Sequence, residues 1–365
     1  MRKHFYFYFL LFPALLGLLL LAGCGGKSAD QYVGEQITAM KEEDPGAFTF
    51  LLEQGITESN ALYTLQFPQE LRTPTLDFLQ EAFRTMEFEV TEAKEQSDSQ
   101  YSVDIAFTPI DVAATTSQVR DSHLASMASP DLTAEVSALY EESAAALEDE
   151  PQFQEEIRIS LIVEATEDGF AFAPDQLLTF LQEALPGYMQ PYNSVCEVLD
   201  ARDFLQSYLD ASFKGDVSQF ALHTDRTEEE ALEWYEADVF TPPADLSPAY
   251  HDRYSAALKE IMKQCQYTVG IPRKESGLYN YTVDITTTPN NSIVETFSKI
   301  EKGTYYSLDA VSKDLVETME SYAKSPAYGE ETTLSIPLNM TELLAAGEAG
   351  STFTNLSLTI LPVPQ

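Results

Sequence analysis

The sequence predicts an α+β protein made of two repeated domains, in each of which helices pack on a roughly four-stranded antiparallel sheet. The nine residues 101–109, YSVDIAFTP, return as YTVDITTTP at 281–289. Apolar and polar residues alternate in both copies, which is typical of a strand with one buried face. Both copies end in Thr-Pro, and proline cannot continue a central ladder. The flanking segments follow the same order in both copies, so we predict one fold that occurs twice.

The first domain is predicted to cover residues 29–185. Helical periodicity and start signals indicate its helices, and alternation indicates its strands. The predicted helices are 29–41, 57–62, 76–86, one that restarts at 129–130 and runs to 147, and 178–185. The predicted strands are 86–90, 101–107, 157–163 and 170–172. A domain of roughly 160 residues can bury about 70% of the surface of its unfolded chain, which is enough for a full core.

The second domain, residues 201–365, repeats this order after a linker at 186–200. Thr227 and Glu230 match a capping box, which makes the run of glutamates there a helix start rather than a metal site. Predicted helices begin at 201 and 227, a third has apolar positions at 254–262, and a fourth follows a break at 303–304 with apolar positions at 311–322. The predicted strands are 265–269, 281–287, 334–338 and 353–361.

Residues 1–23 have the form of a lipoprotein signal peptide. Basic residues at 2–4 precede an apolar run at 5–21 that is shorter than a comfortable membrane-spanning helix. The run closes with Leu-Ala-Gly-Cys, which resembles the lipobox of bacterial lipoproteins. This resemblance implies cleavage before Cys24, attachment of acyl chains such as palmitate to that cysteine, and a short tether at 24–28. The alternative is an ordinary secretory signal with a coincidental cysteine.

The lipobox resemblance also implies a location at the cell membrane. The protein would be anchored by lipid on Cys24 at the extracytoplasmic face, where several acyl chains hold it stably. With its tandem α+β repeats, the chain resembles bacterial lipoproteins whose repeated domain has no assigned function. That domain is loosely similar to the nuclear-transport-factor-like and cystatin-like folds. The resemblance implies a binding or scaffolding role in the cell envelope, and these folds often hold a pocket between sheet and helices.

The chain is strongly acidic. Removal of residues 1–23 leaves 19 of its 21 basic residues against 59 acidic ones, a net charge of −40. Nucleic acids and anionic lipid headgroups bind to basic patches, so we expect no nucleic-acid partner. The expected partners are the membrane, through Cys24, and either an unidentified envelope protein or a small ligand.

The sequence does not predict catalytic residues, a metal or a cofactor. The three histidines that follow the signal, His123, His223 and His251, are far apart and form no pair at helical spacing. Calcium loops, glycine-rich phosphate loops and nucleophile elbows do not occur in the sequence. Asp104 and Asp284, which are shared by the two copies, are expected on a solvated strand face.

Two cysteines and several aromatic residues remain as candidates. Cys196 and Cys265 could form a disulfide outside the cytoplasm, although Cys265 also occupies a core position of its strand. Aromatic side chains could line a recognition surface, but at helical spacing or beside turns they are more often core or edge residues. The aromatic candidates are Trp234, Tyr235, Tyr305, Tyr306 and Tyr328.

These observations favour a non-enzymatic, membrane-anchored lipoprotein with a binding or scaffold role. The length and the anchor also suit the solute-binding receptor of a transporter, although the repeated βαβ units of that class do not occur in the sequence. An envelope hydrolase is a third reading, against which the lack of a catalytic constellation argues.

Overall fold

The computed structural model describes residues 27–42, 44–173, 175–236, 242–275, 280–339 and 351–364. The predicted α+β class is confirmed: helices accompany two antiparallel sheets. The predicted signal peptide and Cys24 lie outside the described residues. Within the described ranges, no helix has the length and apolar character needed to cross a membrane.

The first half of the chain forms seven numbered helices and five strands in its described ranges. In chain order they are α1 (Ala29–Glu42), α2 (Thr49–Leu62), α3 (Arg72–Arg84), β1 (Phe88–Val90), β2 (Lys94–Ser97), β3 (Gln100–Phe107), α4 (Val112–Thr115), α5 (Ser117–Ser126), α6 (Leu132–Asp149), β4 (Ile157–Thr166), β5 (Gly169–Phe172) and α7 (Gln176–Ala184).

The second half forms another seven helices and four strands among its described residues. They are α8 (Gln190–Lys214), α9 (Ser218–His223), α10 (Glu228–Glu236), α11 (His251–Lys263), β6 (Gln266–Val269), β7 (Arg273–Lys274), β8 (Asn280–Thr288), α12 (Ser292–Glu301), α13 (Leu308–Lys324), β9 (Thr332–Asn339) and α14 (Ser351–Ile360).

The chain folds as two compact units. Among the described residues, the first comprises 27–58, 68–120 and 137–191, and the second comprises 59–67, 121–136 and 192–364. This division differs from the predicted one, because two stretches of the predicted first domain belong to the second unit. Hydrogen bonds explain the place of the first stretch: Ser59 donates to the Asn193 side chain at 2.7 Å.

The repeated strand is the centre of the first sheet. β3 pairs with β1 and β2 along one edge and with β4 along the other, and β5 continues the sheet beyond β4. All of these pairs are antiparallel. The predicted apolar face is confirmed at Val103, Ile105 and Phe107, which are buried, but Ser102 and Ala106 on the opposite face are buried as well. These side chains form part of the core of the first unit.

Aromatic rings fill that core. Phe83 of α3 packs edge-on against Phe48 and Phe180, with ring centroids 5.4 and 5.9 Å away. Phe107 of β3 packs edge-on against Phe180 at 5.2 Å. Edge-to-face contacts suit the charge distribution of aromatic rings. The cluster thereby fixes the helices of the first unit on its sheet.

The second sheet is built around β8. This strand pairs with β6 and β7 along one edge and with β9 along the other, again antiparallel. Tyr281, Val283 and Ile285 point into the core, as their alternation predicts. Pro337 lies in the middle of β9, opposite Thr282. A proline is tolerated in an edge strand because its missing N–H can face away from the ladder.

The two sheets share their pairing around the repeated strand. Asp104 of β3 lies opposite Ser160, and Asp284 of β8 lies opposite Ser335. The chain then continues differently, with strand β5 after β4 and helix α14 in the later half. Repetition of the whole domain therefore stays a prediction.

Two predicted segments take another form in the structure. The strand predicted at 353–361 is wrong: this stretch is helix α14, in which Phe353, Leu356 and Ile360 are buried at helical spacing. The linker predicted at 186–200 contains the start of α8. Buried Tyr192 and Cys196 are four residues apart on that helix, and proline is tolerated in a first helical turn.

Of the helix starts predicted at Thr57 and Thr227, the structure confirms the second. The capping box is confirmed, because the Glu230 carboxylate accepts from the Thr227 amide at 2.8 Å and the Thr227 hydroxyl accepts from the Glu230 amide at 3.2 Å. A start at Thr57 is wrong, since α2 already begins at Thr49. The Thr57 hydroxyl donates to the Glu53 carbonyl one turn earlier and caps nothing.

The hydrogen bonds of Asp200 in α8 contribute to the stability of the second unit, and this contribution can be tested. One of its carboxylate oxygens accepts hydrogen bonds from the Thr64 and Leu65 amides, both at 2.9 Å. Burial raises the pKa of Asp200 above its ordinary value of 3.8, although the amides lower it. The raised pKa means that the wild type loses stability as pH rises from that ordinary value through the folded pKa.

We expect Asp200→Ala to be less stable than Asp200→Asn by about 1–3 kcal/mol, because alanine leaves two amides without an acceptor. Urea denaturation at pH 4 and pH 7 measures this difference. The asparagine variant should gain stability relative to the wild type between these pH values, since it cannot be deprotonated. An alanine variant as stable as the asparagine variant would contradict the role of these hydrogen bonds.

Candidate binding pocket

The second unit contains an apolar pocket of about 580 Å³. Five of the side chains that line it are aromatic: Tyr208, Phe213, Trp234, Tyr235 and Tyr254. Six are aliphatic or thioether side chains: Leu258, Met262, Ile293, Leu358, Leu361 and Val363. Two serine hydroxyls, those of Ser212 and Ser357, complete the described lining. Leu358 and Val363 are 45% and 46% exposed, so the rim of the pocket is apolar as well.

Helical spacing brings these side chains to the pocket. Tyr208 and Ser212 of α8 are four residues apart and share one face of that helix. Tyr254, Leu258 and Met262 form the same kind of stripe on α11. An apolar stripe of this kind normally packs against neighbouring helices. Part of the α11 stripe faces the open space of the pocket instead.

The capping box places the aromatic pair of α10. Because this short helix begins at Glu228, Trp234 and Tyr235 fall in its last turn. The Trp234 ring lies 4.7 Å from the Phe220 ring and 5.9 Å from the Tyr208 ring, measured between centroids. Tyr208 packs edge-on against Phe353 of α14 at 5.1 Å. Aromatic contacts therefore link three of the helices that form the pocket.

The lining is electrically neutral. Burial raises the pKa of Tyr208, Tyr235 and Tyr254, so their phenols stay protonated at physiological pH. The Lys259 amine lies 5.9 Å from the centre of the Tyr235 ring and forms an ion pair with Glu236 at 2.7 Å. Among the described residues that line the pocket, none carries a charged side chain.

Two hollows of the first unit have similar volumes but a different chemistry. One, of about 610 Å³, is bordered by α4, α5 and α6 and includes Glu142, Asp149 and Glu150. The other, of about 630 Å³, includes Lys41 and Arg84. Small-molecule sites are mostly apolar with a few polar groups, so the pocket of the second unit is the best candidate.

The two predicted disulfide partners are free thiols in the structure, and both are buried. Burial raises the pKa of Cys196 and of Cys265 to about 12, which keeps them protonated and unreactive. Cys265 lies near Lys214, which is eighteen residues beyond Cys196 on α8. Cys196 and Lys214 are therefore roughly 27 Å apart along the helix. Because Cys265 lies at the Lys214 end, it is too far from Cys196 for a disulfide, which requires Cα atoms within about 7 Å.

The three histidines occupy separate places. His123 lies 3.0 Å from the Glu135 carboxylate, and His223 lies 2.9 Å from that of Asp203. His251 shares a hydrogen bond with the Leu246 carbonyl at 3.1 Å. In the part of the chain that the structure describes, no three His, Cys, Asp or Glu side chains form a group that could hold a metal ion.

The shared aspartates lie on the outer strand face, as predicted, and both are paired. Asp104 accepts from Ser160 and from Lys94, the latter at 2.8 Å. Asp284 accepts from Ser335 and from Arg273. The arginine and serine hydrogen bonds lower the pKa of Asp284 to about 2. Each aspartate thus connects the short strand on one side of the central strand to the long strand on the other.

Of the five aromatic residues singled out from the sequence, the structure brings Trp234 and Tyr235 together at the pocket. Tyr305 donates to Asp314, Tyr306 is 95% exposed, and Tyr328 donates to the Gln264 carbonyl. Tyr208 and Phe213 were not selected from the sequence. Their positions in a long amphipathic helix resemble core positions, and only the tertiary structure distinguishes the two.

No protein-family model matches the chain, and no curated protein or solved structure matches it significantly.

Proposed function

We propose that the protein is a membrane-anchored, extracytoplasmic lipoprotein that binds a small, mainly apolar organic molecule without transforming it. The apolar, aromatic pocket of the second unit carries this proposal. Its volume of about 580 Å³ falls in the range of small-molecule sites, which is roughly 300–1,000 Å³. The proposed anchor rests on the signal-like residues 1–23 and on Cys24 of the lipobox-like sequence.

The chemistry of the lining supports binding of an apolar surface. Aromatic side chains offer large contact areas at low cost in conformational entropy, and Leu258 and Met262 add flexible apolar contacts. The hydroxyls of Ser212 and Ser357 are the polar groups that could orient a ligand. This combination of a large apolar wall with a few hydroxyl groups is typical of sites that recognise small organic molecules.

Binding to the pocket can be followed by tryptophan fluorescence. Trp234 is the only tryptophan of the chain and lines the pocket. An uncharged hydrophobic dye, N-phenyl-1-naphthylamine, absorbs where tryptophan emits. When the dye enters the pocket, energy transfer from Trp234 should be large, and the dye emission should rise with saturation of one site.

We expect Leu358→Lys to weaken binding of this dye at least tenfold, because it places a charged amine at the apolar rim. Leu222→Lys is the matched control: Leu222 is an exposed leucine of α9, on a helix of the same unit, and does not line the pocket. It should leave the affinity within about twofold of the wild-type value, an order-of-magnitude limit for independent sites. Titration of the dye into both variants of the chain that starts at Ser28 gives the comparison. Equal weakening by both, or no saturable energy transfer in the wild type, would refute the proposed site.

A further inference from the structure

We infer that the natural ligand of this pocket carries a quaternary ammonium group or a similarly weakly hydrated organic cation. The inference rests on the proposed function and specifies the class of ligand. Such cations are attracted to the faces of Trp and Tyr rings when they lie within about 6 Å of the ring centres. The pocket offers four such rings, those of Tyr208, Trp234, Tyr235 and Tyr254.

The rings are inclined to one another rather than stacked. Tyr208 and Trp234 have centroids 5.9 Å apart and planes that differ by 51°. Both rings line the pocket, and together they form the ring corner, which a small cation in the pocket can approach. Phe220 packs on Trp234 at 4.7 Å and fixes its orientation. The corner therefore exists before a ligand arrives, which lowers the cost of binding.

One ring of the lining already accepts a cation from the chain itself. The Lys259 amine lies over the Tyr235 ring, 5.9 Å from its centre. Its charge is balanced by Glu236, and the charge of Lys263 nearby is balanced by Glu260 at 2.8 Å. These pairs leave no excess positive charge beside Tyr235 that would repel a cationic ligand.

The net charge of the chain and the neutral lining of the pocket narrow the class of ligand. The chain carries a formal net charge of −38, which attracts cations and repels anions at long range. Among the described residues the lining holds no carboxylate, so a primary ammonium would lose its strong hydration without an anionic partner. A quaternary ammonium has no N–H to satisfy and is weakly hydrated. Neutral aromatic faces are the environment that suits it.

Choline and its uncharged isostere 3,3-dimethylbutan-1-ol give a direct test, because they differ in charge and hardly in shape. Each compound is titrated against the full mature chain that has been saturated with N-phenyl-1-naphthylamine. We expect choline to displace the dye at a concentration at least tenfold lower than the isostere. We also expect Tyr208→Leu, which removes one ring but keeps an apolar side chain, to reduce this preference at least threefold. Circular dichroism verifies the fold of the variant.

The outcomes separate the two proposals. Equal displacement by both compounds, or displacement by neither while the dye binds, would overturn the cation inference and leave the apolar pocket standing. If the dye itself shows no saturable binding, the proposed function fails. A charge preference that Tyr208→Leu does not change, in a variant that remains folded, would place the cation away from the ring corner and would also overturn the inference.

Discussion

Phe83→Ala should lower the free energy of unfolding by about 3–5 kcal/mol, the range for removing a fully buried phenylalanine ring. Phe83 is fully buried in the first unit. It contacts Phe48 of the turn before α2 and Phe180 of α7, so alanine would leave a cavity between these rings. Denaturation by urea, followed by circular dichroism, measures the effect.

Phe153→Ala provides the matched control in the same unit. Phe153 is 43% exposed, so its truncation removes little buried surface and should cost less than about 1 kcal/mol. A similar loss of stability in both variants would mean that the aromatic cluster is not the centre of this core. The contrast between the variants is more informative than either value alone.

Cys24→Ala is expected to abolish lipid attachment completely. The sulfur of the lipobox-like cysteine is the atom that would carry the lipid through a thioether bond, and alanine has no replacement for it. The variant should accumulate as a precursor that retains residues 1–23 and takes up no labelled fatty acid. Growth of expressing cells with radiolabelled palmitate, followed by fractionation and gel analysis, measures both effects.

Cys265→Ala is the control for this experiment. Cys265 is buried, with a pKa raised to about 12, so its substitution should leave the label unchanged. Label on the Cys24→Ala protein would contradict the proposed anchor. Cleavage of that variant without any label, together with an unlabelled wild type, would favour the ordinary secretory signal.

The strands around the repeat were predictable because apolar and polar residues alternate along a single element. The pattern of β3 and β8 depends on local geometry alone, and both strands end where proline interrupts the ladder. The segment at 353–361 misled the prediction because its threonines and alternating apolar residues favour a strand. Its buried residues fit a helix equally well, and only packing in the second unit decides between the two.

The pocket could not be predicted from the sequence. Its lining comes from five separate helices and the segment after α14, and each helix contributes residues that look like ordinary core positions. Tyr208 and Tyr254 have the same helical spacing as neighbours that are fully packed. Whether such a side chain meets another side chain or an open space depends on the arrangement of the helices. That arrangement is set by long-range contacts, which periodicity does not encode.

The proline in edge strand β9 affects how copies of the protein associate at high local concentration. β9 pairs only with β8 among the described strands, and Pro337 interrupts the row of amide donors along its other edge. A strand from a second molecule would meet a missing donor there, which disfavours sheet-to-sheet association. Proteins tethered to a membrane, as proposed for this one, diffuse in two dimensions and collide often. Under such confinement a single imino acid in this position protects the folded chain from ordered aggregation.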